Sequence, residues 1–130
     1  MFRRVMVFLF FLGLGYLSAG DEKPRLMPTP FVKVQQLIAK GKPLMLEFGA
    51  ESCYSCRVMG QLLYEIKQEN PESNIYFIDI YKDMQYAKKY KIRMIPTQLF
   101  LDKNGKVLGK HIGIFKKEDL KSVLKEWGIL

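Results

Sequence analysis

The sequence predicts an α/β fold in which helices cover both faces of a mixed central sheet. Short apolar runs bounded by turn residues alternate with segments whose apolar residues recur every three or four positions. Near the C-terminus, Lys103-Asn104-Gly105 separates two further runs, the pattern of a β-hairpin. The 130 residues provide room for one domain.

Phe31, Val34, Gln35, Leu37 and Ile38 sit at near-helical spacing, and Gly41 with Pro43 ends that helix. Leu44 to Phe48 is apolar except for Glu47, as expected of a central strand covered on both faces. Val58, Met59, Leu62, Leu63 and Ile66 form the apolar stripe of a long helix that starts near Cys53 and ends near Asn70-Pro71. Ile75 to Ile80 reads as a second buried strand, and Asp83 as the cap of a short helix reaching Tyr90. Gln98 to Leu101 is a third strand, from which the hairpin returns as Lys106 to Ile112. Leu120, Val123, Leu124 and Trp127 line a last helix stopped by Gly128. Strands separated by helices are expected to run parallel through crossovers, with the hairpin adding an antiparallel edge.

Residues 1–20 read as a secretory signal. Arg3 and Arg4 precede the uncharged apolar run Val5 to Leu17, and Ser18-Ala19-Gly20 offers small residues for cleavage. As a helix that run reaches about 20 Å, short of the roughly 30 Å hydrocarbon layer, so a cleaved signal is favoured over a retained anchor. The expected organisation is therefore a signal (1–20), a polar, proline-containing linker or ordered extension (21–30) and one domain (31–130). The net charge of +8 includes two arginines of the signal. The remaining lysines are scattered over helix faces and turns without a stripe of exposed aromatics, which argues against nucleic-acid binding.

The only two cysteines are Cys53 and Cys56, in Cys53-Tyr54-Ser55-Cys56 at a helix start. A structural disulfide over so short a loop would add little stability. Zinc would need four ligands, and the single histidine, His111, leaves the chain one short. Redox exchange remains. Cys53 would lie against the unpaired N–H groups and positive end of the helix dipole, which favours its thiolate. It is the expected attacking group, with Cys56, one turn inward, resolving the mixed disulfide. Glu47, the one charge in its strand, should be held partly neutral by burial. His111 reads as an exposed residue of the edge hairpin.

Residues 46–57, Leu46-Glu47-Phe48-Gly49-Ala50-Glu51-Ser52-Cys53-Tyr54-Ser55-Cys56-Arg57, resemble the strand-to-active-site segment of thioredoxins. Residues 90–97, Tyr90-Lys91-Ile92-Arg93-Met94-Ile95-Pro96-Thr97, resemble the family loop whose proline is cis, and residues 102–107 followed by Gly113 resemble its terminal hairpin. The likeness spans about 31–128 and implies the thioredoxin fold. It differs from cytosolic thioredoxin where the family tryptophan is Ser52, the Gly-Pro is Tyr54-Ser55, the buried aspartate is Glu47, a helix proline is Gln61 and a strand lysine is Phe77.

The resemblance places Glu47 behind Cys56 as a proton carrier and makes Cys53, Cys56 and Glu47 the candidate catalytic groups. It makes Tyr54, Ser55, Ile95 and Pro96 candidate substrate contacts, with the backbone before Pro96 pairing an extended substrate segment. Tyr54 and Ser55 would also tune the redox potential, in a direction left open. With the signal, the likeness narrows to envelope proteins of bacteria, periplasmic or secreted, some of which carry reducing equivalents to apocytochromes. The expected partners are exported proteins bearing disulfides or thiols and a membrane electron donor. No cofactor, metal or nucleic acid is expected, and the chain is expected to be a monomer. Ile95 resembles reducing members, and no room exists for the helical insertion of the oxidising ones. A dithiol oxidase and a non-catalytic redox sensor or binding module are the alternatives.

Overall fold

The computed structural model describes Gly20 and residues 22–130, so the expected signal falls outside it except for Gly20. The elements are α1 (Phe31–Ile38), β1 (Leu44–Gly49), α2 (Tyr54–Glu69), β2 (Ile75–Asp79), α3 (Met84–Lys89), β3 (Thr97–Leu101), β4 (Val107–Ile112) and α4 (Lys117–Glu126). The four strands form one sheet in the order β2-β1-β3-β4. Among the described residues, no helix is long and apolar enough to cross a membrane.

Alternation of side chains along each strand divides the core in two. Leu44, Leu46, Phe48, Ile78, Leu99 and Leu101 pack beneath Phe31 and Val34 of α1 and Ala87 of α3. On the other face Met45, Ile75 and Phe100 meet Met59, Leu63 and Ile66 of α2 and Leu120 and Leu124 of α4. Every residue of β1 is buried, as a strand covered on both faces requires. Over β4, the Trp127 ring sits where any Cβ on Gly109 would come within 2.7 Å of it. A side chain at residue 109 would therefore lift α4 from the sheet.

Two expectations are corrected. The sequence reading makes the first three strands parallel, but only β1 and β2 are; β3 runs antiparallel to both β1 and β4. The cause is the length of α3. Six residues rise about 9 Å as a helix, too little to recross a strand about 17 Å long. The chain leaves β2 and enters β3 at the same end of the sheet, where Thr97 pairs with Phe48 and Asp79 with Gly49. Asp83 also does a different job. Its carboxylate makes no cap bond to α3 and instead accepts the Phe31 N–H at the start of α1, at 3.2 Å.

Residues 22–30 have no regular structure beyond one bridge but are tied down. Thr29 N–H donates to Phe77 O at 2.8 Å and Leu26 N–H to Gly60 O at 2.9 Å, with Pro28 bridged in parallel to Phe77. The segment thus lies along β2, the edge strand, and covers part of a row of groups that would otherwise be unpaired.

Candidate active site

At its C-terminal end, β1 delivers Gly49 and Ala50 to a turn, and Cys53 then stands as the N-cap of α2. Its sulfur accepts the Cys56 N–H at 3.3 Å and lies 3.4 Å from the Ser55 hydroxyl. Cys53 is half-buried and Cys56 buried, both as free thiols. The environments push the two sulfurs apart. Burial works against the Cys53 thiolate, but bonds from the Cys56 thiol, the Ser55 hydroxyl and the backbone N–H groups of both outweigh it, holding this thiol below its usual range. Burial pushes the Cys56 thiol up to about 12, assisted by its bond to Cys53 and the nearby charges of Cys53 and Glu47.

The tight seat of Cys56 depends on Gly49. A Cβ there would lie 3.1 Å from the Cys56 sulfur and 3.0 Å from the Phe77 ring. Without it, the helix tip sits directly on the end of β1.

Glu47 lies two residues before Gly49, about 7 Å back along the strand, on the α2 face, and is 1% exposed. Burial raises its carboxyl well above the ordinary range, the bond from Gln98 opposes this, and the Cys53 charge raises it further. Gln98 Nε2 donates to both carboxylate oxygens, at 3.0 and 3.3 Å, and to Gly113 O at 3.1 Å. Gln98 Oε1 is in turn hydrogen-bonded to His111 Nδ1. The strand register explains the contacts. Phe77, Glu47, Gln98 and His111 are successive cross-strand neighbours on β2, β1, β3 and β4.

The expectation that His111 is simply exposed is therefore corrected. It is half-buried, its ring 3.9 Å from that of Phe115. Sequence order assigns Gln98 only to a strand and His111 only to an exposed hairpin position, because register, not spacing, brings both to Glu47. Only the alternation within each strand hinted at a shared face.

The Ile95–Pro96 peptide is cis. Pro96 is buried and its carbonyl accepts Gly113 N–H at 2.8 Å. Ile95 is half-buried, and among the described residues neither its N–H nor its carbonyl has a backbone partner. This loop precedes Thr97 and so occupies the same end of the sheet as the α2 tip. Tyr54, first residue of α2 and 75% exposed, and Met94, next to Ile95 and 62% exposed, present large apolar side chains at this end of the sheet.

Two unequal thiols on a helix tip, at the end of a mixed sheet, define a dithiol–disulfide exchange protein. Residues 31–128 match the family described as thioredoxin-like domain, and the chain belongs to that family. The thioredoxin of Mycoplasmoides gallisepticum is 30% identical over 97 residues, spanning 75% of this chain and 96% of the relative. That of Buchnera aphidicola is 34% identical over 91 residues, spanning 69% and 83%. Among solved structures, oxidised mitochondrial thioredoxin 3 of Saccharomyces cerevisiae superposes with a TM-score of 0.63 at 25% identity, over 74% of this chain and 89% of that one. Thioredoxin NaTrxh of Nicotiana alata superposes at 0.69 with 18% identity, over 84% and 97%, which speaks for the fold alone. The thioredoxin relatives indicate thiol–disulfide oxidoreductase activity.

Proposed function

We propose that this protein is an exported reductant of protein disulfides, working through Cys53 and Cys56. The observation that carries the reading is the inequality of the two thiols: Cys53 reachable and biased to the thiolate, Cys56 buried and biased to the thiol. Cys53 thiolate attacks a substrate disulfide, forming a mixed disulfide and releasing one substrate sulfur, which takes up a proton. Cys56 gives its proton to the Glu47 carboxylate and attacks Cys53, closing the Cys53–Cys56 disulfide and releasing the second substrate sulfur. The substrate gains two electrons and two protons, one proton from water on the first sulfur and one from Glu47 on the second, and a membrane dithiol returns the two electrons and one proton to the protein.

The open backbone of Ile95 supports a role in pairing an extended substrate segment. Exposed Tyr54 and Met94 supply apolar contact surface at the same end of the sheet. Substrates of this chemistry include exported proteins with misplaced disulfides and apocytochromes whose thiols must be free before haem attachment.

The reduction potential tests the direction. Equilibration with glutathione should give a value close to the roughly −270 mV of thioredoxin; one near about −120 mV would make the protein an oxidant instead. Export rests on Arg3, Arg4 and the apolar run that follows. Fusion of residues 1–20 to a reporter active only outside the cytoplasm should yield activity, and a silent fusion would refute export.

A further inference from the structure

We propose that Gln98 and His111 are positioning residues: His111, at the far end of the amide from the Gly113 carbonyl, holds Gln98 where its N–H meets Glu47, and thereby sets the pH at which that carboxyl exchanges its proton with Cys56. The inference deepens the proton-carrier role given to Glu47 above and rests on it.

The lock follows from counting donors and acceptors. Gln98 is fully buried, so each polar atom of its amide needs a partner. Its nitrogen has two protons; one goes to the Glu47 carboxylate and the other to the Gly113 carbonyl. A carbonyl can only accept, which fixes nitrogen on that side and oxygen on the other. The oxygen meets His111 Nδ1, so that ring nitrogen must carry a proton. Neutral imidazole in water prefers its proton on Nε2. This site demands the other tautomer, and the Phe115 ring 3.9 Å away holds the imidazole in place.

Glu47 has few other neighbours able to set its charge. From α2 it faces Cys53 and Cys56. From β2 its register partner is Phe77, and Asp79 is occupied in its own turn, accepting Tyr81 N–H at 2.9 Å. From β3 comes Gln98, and behind it, from β4, His111. Gln98 is thus the donor that favours the carboxylate against burial. Were the His111 bond lost, the buried amide oxygen would have no donor and the amide would be held at one end only, by Gly113, so its N–H would meet Glu47 less well and favour the carboxylate less. The titration of Glu47 would then move to higher pH.

The titration can be read directly, without reference to exchange rates. In the reduced protein, the infrared stretch of the protonated Glu47 carboxyl is identified as the band missing from Glu47→Gln, and its midpoint is followed against pH. His111→Phe keeps a ring against Phe115 but removes the donor, and should raise the midpoint by about one pH unit. Gln98→Leu should raise it further. Coincident midpoints in the wild type and folded His111→Phe would overturn the proposal. The wild type offers a second test that needs no variant: nitrogen NMR of His111 near neutral pH should show the Nδ1–H tautomer, and a dominant Nε2–H form would overturn the lock. Should exchange by Glu47→Gln match the wild type at every pH, the proton-carrier role itself would fall, a result distinct from failure of either lock test.

Discussion

Cys56→Ser should accumulate on its substrates as a covalent mixed disulfide through Cys53, while Cys53→Ser should capture none and lose exchange altogether. The asymmetry follows from where the two sulfurs sit. Cys53 caps α2 half-exposed and takes the Cys56 N–H, so it attacks first. Cys56 is 5% exposed beneath the end of β1 and reaches only a sulfur already joined to Cys53. Removing the second thiol leaves the first step intact and abolishes the second. Hydroxyl for thiol is a small change in volume, so the helix tip should keep its seat on Gly49. Envelope extracts from cells expressing Cys56→Ser, resolved without reductant and then with it, provide the measurement. Equal trapping by both variants would reverse the assigned roles.

Glu47→Gln should make the protein slower and more stable at once. Loss of the proton acceptor should slow the resolving step by about 10²-fold, the lower range for positioned acid–base groups. The stability effect has the opposite sign. The folded-state titration of Glu47 is raised above the unfolded one, chiefly by burial. An acid so shifted leaves the fold most stable below the unfolded carboxyl range, about pH 4.3. Stability then declines as pH climbs through that value to the folded-state titration, where the loss is complete. A neutral amide has no such decline, so the variant should gain on the order of 1–3 kcal/mol at neutral to mildly alkaline pH and little in acid. Cys56, pushed up to about 12, adds a loss of the same sign only above the ordinary thiol range. Urea unfolding of both proteins in the reduced state at several pH values supplies the comparison. A variant less stable than the wild type at pH 8 would show that the Gln98 bond outweighs burial. Such a gain on removing a buried ionisable group is the trade-off expected where function holds a charge in the core.

The register places these effects together. Glu47, Gln98 and His111 share a cross-strand row, so a change at the sheet edge reaches the dithiol through side chains already in contact. The neighbouring row is apolar, with Met45 opposite Phe100 and Phe100 opposite Gly109. The polar row is therefore confined to the layer nearest the active-site end.

Much of this was open to reading from residue order alone. Local chemistry determines the helix starting after Cys53, the covered strand before it, the hairpin at Asn104-Gly105 and the stops at Gly41 and Gly128, because turn residues and apolar periodicity act over a few positions. The pairing of Cys53 with Cys56 is equally local. What only the tertiary structure decided are contacts between residues far apart in the chain: Asp83 capping α1 instead of α3, β3 running antiparallel, and Gln98 and His111 closing on Glu47. Register and strand direction depend on how far a connecting helix can reach and which end of the sheet it returns to. The shortness of the helix after Asp83 is legible in spacing, but the pairing of β3 with β1 that fixes its direction is a contact between residues as far apart in the chain as Glu47 and Gln98, which spacing does not record.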